Sequence, residues 1–148
     1  MRVVVQRVKQ ASVTIDNEVF NEVKEGFLLL VGITEGDNEE IATKVANTVI
    51  DLRIFEEEQG KMNKSIEDIG GSVLSISQFT LYADVKKGRR PSFVKAARPE
   101  VANPLYEYFN EKIRARGIAC KPGVFGADMK VELLNDGPVT IIVDSEEL

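Results

Sequence analysis

The sequence predicts an α+β fold: one domain, residues 1–148, with mostly antiparallel, barrel-like β-sheets and two main helices. Three observations lead there. Strand-type apolar runs recur from one end of the chain to the other. Only two stretches carry the three-and-four spacing of an amphipathic helix, and both lie between strands. No linker, internal repeat or low-complexity stretch divides the chain, and 148 residues at 43% hydrophobic can bury one substantial core.

Val3, Val5 and Val8 sit in a β-branched run that reads as a first strand. Ala11 to Ile15 alternates, Asp16-Asn17 signals a turn, and Val19 to Val23 follows, so a hairpin is expected. Gly26 opens the unbroken run Phe27 to Ile33, the pattern of a central strand covered on both faces. Asp37 and Glu40 then have the form of a capping box, and Ile41, Val45, Val49 and Leu52 make one helical stripe. Glu56 to Lys64 reads as a polar loop. Val73, Leu74, Ile76, Phe79 and Leu81 read as the next strand, and Asp84 to Ser92 as a basic loop. A second helix covers about Pro99 to Arg116, with Leu105, Phe109 and Ile113 as its stripe and Gly117 just past its end. Pro104 inside it implies either a kink or a late start with Asn103 as the cap; local rules favour the late start. Ile118 to Lys121, Met129 to Leu134 and Val139 to Val143 close the chain as strands.

Composition excludes much familiar chemistry. The chain has no histidine, so a Ser-His-Asp triad and a Cys-His dyad are both out. The one cysteine, Cys120, allows no intrachain disulfide and fits a reducing compartment. No spaced carboxylate motif offers a metal site, and the glycines form neither a P-loop nor a dinucleotide fingerprint. A net charge of -5 argues against a grip on long stretches of nucleic acid and leaves room for local contact. The opening residues lack a signal-peptide pattern, and no apolar run approaches the roughly 20 residues of a membrane span. A soluble, cytoplasmic protein without membrane association is expected.

Four stretches have the residue types for function. Ser77-Gln78-Phe79-Thr80 ends an apolar strand, where alternation puts Ser77 and Phe79 on one face and Gln78 and Thr80 on the other. It is an ordinary strand end, or a binding edge whose hydroxyls, amide and backbone donors hold a carbonyl oxygen as it gains charge. Thr80 as nucleophile has no base near it in sequence. Asn135-Asp136-Gly137-Pro138 reads as a turn between two strands, or as a place where glycine lets backbone approach a ligand and a cis proline aligns two carbonyls. Gly123 to Met129 is a loop into a core strand or a pocket wall. Lys86-Lys87-Gly88-Arg89-Arg90 is a solvated loop or a local phosphate contact.

Taken together, Ser77-Gln78-Phe79-Thr80-Leu81, Arg90-Pro91-Ser92-Phe93, Gly123-x-Phe125-x-Ala127-Asp128-Met129 and Asn135-Asp136-Gly137-Pro138-Val139-Thr140 resemble the motifs of the D-aminoacyl-tRNA deacylase family. Gln6-Arg7-Val8, Ala11-Ser12-Val13, Arg53-Ile54-Phe55 and Gly60-Lys61-Met62-Asn63 match too, so the resemblance runs nearly end to end. It implies a hydrolase of the ester joining a D-amino acid, or glycine mischarged on alanine tRNA, to the tRNA 3′ end, with L-esters rejected and no metal or organic cofactor. It implies a homodimer in which Ser77, Gln78, Phe79 and Thr80 line each site and Gly137-Pro138, in the cis form, reaches in from the partner to hold the substrate's amino group. Phe125, Ala127 and Met129 would line the pocket near the terminal adenosine. Family members are thought to enlist the substrate's 2′-hydroxyl, which removes the need for a protein base; an older proposal makes the threonine matching Thr80 the nucleophile. Lys87, Arg89 and Arg90 are the candidates for acceptor-stem phosphates. Three other readings compete: an editing domain of the same fold that acts on L-esters, a non-catalytic binder of the acceptor end, and a dimeric structural domain whose polar strand end is incidental.

Overall fold

The computed structural model describes residues 1–148 and bears out the α+β class. The strands are β1 (Arg2–Ile15), β2 (Glu18–Val23), β3 (Gly26–Gly32), β4 (Phe55–Glu56), β5 (Met62–Lys64), β6 (Ser72–Ser77), β7 (Cys120–Pro122) and β8 (Lys130–Asp144); the helices are α1 (Glu39–Asp51) and α2 (Pro99–Arg114). One long strand organises the main sheet. β1 pairs antiparallel with β3 through residues 2–8 and with β2 through residues 11–15, while β8 runs antiparallel along its other edge from Arg2 to Thr14. The β1–β2 turn is Asp16-Asn17, both at positive φ, as a tight two-residue hairpin requires. β3–β6 and β6–β7 are parallel, because α1 and α2 provide the crossovers between them. No helix is long and apolar enough to cross a membrane.

β3 is central because both of its faces are buried. Phe27, Leu29 and Val31 join a 25-residue core under both helices, and Leu28 joins a smaller cluster with Val8, Ala11, Val13, Val23, Leu74 and Ile76 on the other face. That two-sided burial is why its apolar run is unbroken.

Several expectations need correction. The α1 cap is Asn38, whose side chain accepts from the Ile41 amide at 2.9 Å. Asp37 instead accepts from the N-terminal ammonium at 2.8 Å and from the Thr34 amide at 2.9 Å, so the capping box does not form. The 56–64 stretch contains the short β4–β5 hairpin. α2 starts at Pro99, not at Pro104. Ala102, Leu105, Tyr106, Phe109 and Ile113 form the buried stripe, and Ala102 can reach the core only if the helix has already begun. Pro104 lies on the exposed side of the helix, where it removes one amide donor. The strand predicted through Leu81 stops at Ser77, and Phe79–Tyr82 is a 3-10 turn. β8 is one strand, not two joined by a turn.

Candidate active site

Where β6 gives way to the 3-10 turn, a cavity of about 320 Å³ opens. Ser77, Gln78, Phe79 and Thr80 form one wall; Phe125, Gly126, Ala127 and Met129 form the facing one; Val31, Ile33, Ala97, Pro99 and Ala102 close the rest. Seven of the nine core site residues predicted from sequence thus share one cavity. No lining side chain is acidic, basic, a thiol or a phenol, and the polar ones are only Ser77, Gln78 and Thr80.

Local geometry sets what those groups can do. The Gln78 amide still donates to Val31 O at 2.8 Å, so the turn is fixed to β3 at its first residue. The first amide tied inside the turn is that of Leu81, to Gln78 O at 3.3 Å, so the Phe79 and Thr80 amides have no partner within it. Gln78 Nε2 donates to Thr80 Oγ1 at 3.0 Å. The Thr80 hydroxyl therefore accepts from an amide and touches no base, which is the wrong arrangement for an activated nucleophile. The turn also undoes the two-face alternation expected of an extended strand here. Beneath the cavity, the Tyr106 hydroxyl donates to Ser75 O at 2.6 Å and its ring centroid lies 6.2 Å from that of Phe125. Burial pushes the Tyr106 phenol up from its ordinary range, so it remains a neutral donor. Burial also pushes the Cys120 thiol up to about 12, which makes it a poor nucleophile.

Gly137 and Pro138 do not line this cavity. They sit on an excursion of β8: Asn135 pairs with Val8 and Thr140 with Gln6, so Asp136 to Val139 bulge out opposite Arg7 alone. The excursion is closed at its base. Asn135 Nδ2 donates to Val139 O at 3.0 Å, and the Val139 amide donates back to Asn135 Oδ1 at 3.0 Å. Arg7, 4% exposed, donates Nε to Asp136 O at 3.0 Å and Nη1 to Ile54 O at 2.6 Å. Gly137 has φ +134° and the Gly137–Pro138 bond is cis. A Cβ on Gly137 would lie 2.8 Å from Val139 Cγ2 and 3.1 Å from Arg7 Nη2, so only glycine fits without movement. Lys87, Arg89 and Arg90 are exposed on the loop beyond the turn and line no part of the cavity.

Arg7 and Asn135 are the residues to which sequence reasoning gave no role. A signal for Arg7 existed: Val3, Val5 and Arg7 share one face of β1, so a charge falls where the register demands a core residue.

Fold and site define a class first: an α+β protein whose main sheet carries, at the end of β6, a cavity with no charged lining side chain and with Ser77, Gln78 and Thr80 as its polar ones. The sequence pattern of the D-Tyr-tRNA(Tyr) deacylase family matches residues 4–144, and the chain belongs to that family. The D-aminoacyl-tRNA deacylase of Brevibacillus brevis is 59% identical over 145 residues, covering 98% of this chain and 100% of its own. A solved structure titled "c-Myc DNA Unwinding Element Binding Protein" is 40% identical with a TM-score of 0.91, over 97% of this chain and 98% of that one. A "probable eukaryotic D-amino acid tRNA deacylase" structure has a TM-score of 0.83 at 18% identity, over 96% of this chain and 97% of that one, and shares the fold.

Proposed function

We propose that this protein hydrolyses the ester of a D-aminoacyl-tRNA, and of glycine mischarged on alanine tRNA, releasing the free amino acid and tRNA in the cytoplasm. The observation that carries this reading is the cavity itself, which joins a hydroxyl- and amide-bearing turn to an apolar wall and contains no ionisable side chain. An aminoacyl ester is already activated, so placement and donors toward the developing oxyanion do most of what is needed. The Phe79 and Thr80 amides are free for that purpose. Water adds to the ester carbonyl, the bond from carbonyl carbon to the 3′-oxygen breaks, and the ribose leaves as a hydroxyl that takes up the proton. The terminal ribose's own 2′-hydroxyl assists water; Thr80, held as an acceptor by Gln78, positions rather than attacks. Phe125, Ala127 and Met129 hold the terminal adenosine.

Chirality is read by Gly137-Pro138, reaching from a second copy of the chain into this cavity. Three features favour that arrangement. The dipeptide is exposed, it is absent from its own chain's cavity, and it lies on the edge of β8 that pairs with no strand in the chain, near exposed Leu134 and Ile142. Backbone packed against the substrate's α-carbon rejects an L side chain by clash, a stronger discrimination than a missing methylene. Lys87, Arg89 and Arg90 face acceptor-stem phosphates. The test is hydrolysis of D-tyrosyl-tRNA and L-tyrosyl-tRNA side by side with chelator present. Rapid loss of the D-ester alone is expected; cleavage of the L-ester, or of neither, contradicts the reading.

A further inference from the structure

Beyond the cavity, aromatic surface continues where a solvated loop would have none. Phe79, on the cavity wall, is 56% exposed and meets Phe93 edge to face with ring centroids 5.0 Å apart. Phe93 is itself 40% exposed, and the neighbouring Val94 and Val85 are 85% and 70% exposed. Between Val85 and Phe93 lie Lys86, Lys87, Arg89 and Arg90, all exposed and none paired with a carboxylate, on a chain of net charge -5.

This loop is held in place. Asp84 and Ser92 exchange backbone hydrogen bonds of 2.8 and 2.9 Å, closing its base. Asp84 Oδ1 accepts from the Lys86 amide at 2.9 Å, and Asp84 Oδ2 lies 3.6 Å from Lys95 Nζ. Beyond it, the Ala97 amide donates to Ile33 O at 2.9 Å, which ties the segment to the rim of the cavity. Unpaired cations beside exposed aromatic rings on a fixed support match single-stranded nucleic acid, whose bases stack and whose phosphates need countercharge.

We propose that Phe93 and the Lys86–Arg90 cations bind the unpaired nucleotides immediately upstream of the esterified one: a base stacks on Phe93 where it abuts Phe79, and the adjoining phosphates meet the cations. The proposal rests on the deacylase reading, which fills the cavity with the terminal aminoacyl-adenosine, and it narrows the phosphates met by Lys87, Arg89 and Arg90 from the acceptor stem to the single strand. It assigns this chain a second subsite, for the single strand leading into the cavity.

Two substrates separate the subsites: D-tyrosyl-tRNA and the D-tyrosyl ester of adenosine alone. Phe93→Ala should raise KM for the tRNA about tenfold. It should leave hydrolysis of the adenosine ester unchanged, and Phe93→Trp should restore the wild-type KM. The K87A/R89A/R90A variant should raise KM for the tRNA only and flatten its salt dependence. Equal losses on both substrates would show that Phe93 merely props Phe79 and would overturn the proposal, as would no change on either. Wild-type protein that cuts neither D-ester would overturn the deacylase reading itself, an outcome distinct from variant behaviour.

Discussion

Two stretches of this chain depart from regular strand, and they do so in opposite ways. At Ser77–Thr80 a strand ends and winds into a turn whose free groups face the chain's own cavity. At Asn135–Val139 a strand continues, but four residues leave the ladder and none of them lines that cavity. The first is shaped by what is missing, since a short turn leaves its leading amides unbonded. The second is shaped by what is added: a buried arginine and a two-bond asparagine clasp. An exposed excursion with no task needs no such bracing. Rigidity presented outward points to a surface that must meet something in a fixed pose.

Substituting the tip should have the largest effect. Gly137→Ala places a Cβ within 3.1 Å of Arg7 Nη2 and 2.8 Å of Val139 Cγ2, at a φ that L-residues avoid. Displacing the tip by about 1 Å should lower D-tyrosyl-tRNA turnover by about a hundredfold or more. Circular dichroism should show the fold retained. Unchanged turnover would make the dipeptide only a bulge.

Removing the brace comes next. Arg7→Ala leaves the Asp136 and Ile54 carbonyls without their donor, so unfolding in urea should show a loss of about 2–4 kcal/mol. Activity should fall with it. Arg7→Lys, a single-headed donor, should recover only part of either; full recovery would mean that charge alone matters here.

A smaller effect is expected at the turn. With no base beside its hydroxyl, Thr80→Val should cost less than about tenfold in kcat, whereas loss of a true nucleophile costs about a thousandfold or more. Single-turnover kinetics on D-tyrosyl-tRNA distinguishes these outcomes.

The smallest effect belongs to the core. Cys120, buried and with its thiol raised to about 12, should resist iodoacetamide at pH 8 in the native protein. It should react once denaturant unfolds the chain. Labelling of the native protein, followed by mass spectrometry, would show that the segment around β7 opens.

The sequence read well where one local pattern decides the outcome. The unbroken run of β3, the Asp16-Asn17 hairpin and the helix α1 follow from periodicity and turn chemistry alone, although only Val45 and Val49 of the predicted α1 stripe are buried, beside Ala42, Ala46 and Ile50. It read poorly where tertiary contact overrides a local rule. Pro104 looked like a helix start, but the burial of Ala102 draws the helix back to Pro99. Asp37 looked like a cap, but the N-terminal ammonium claims its carboxylate. The site split in the same way. Residue types marked Ser77–Thr80 and Gly123–Met129 only as separate candidates; the family resemblance put Phe125, Ala127 and Met129 in one site with Ser77–Thr80, and the cavity gathers them. Arg7 was signalled only as a charge on the core face of β1; its partner, the excursion, follows from the β1–β8 register alone.

The claim that the two irregular stretches of different copies make one site can be tested by complementation. Gly137→Ala damages the excursion, and Ala127→Trp fills the cavity; each variant alone should be nearly inactive. Refolded together in equal amounts, half of the dimers are mixed, and each mixed dimer has one site with an intact cavity and an intact excursion. Shared sites predict recovery of about one quarter of wild-type D-tyrosyl-tRNA hydrolysis. Failure of the mixture to exceed the separate variants, with mixed dimers present, would contradict a site built from two chains.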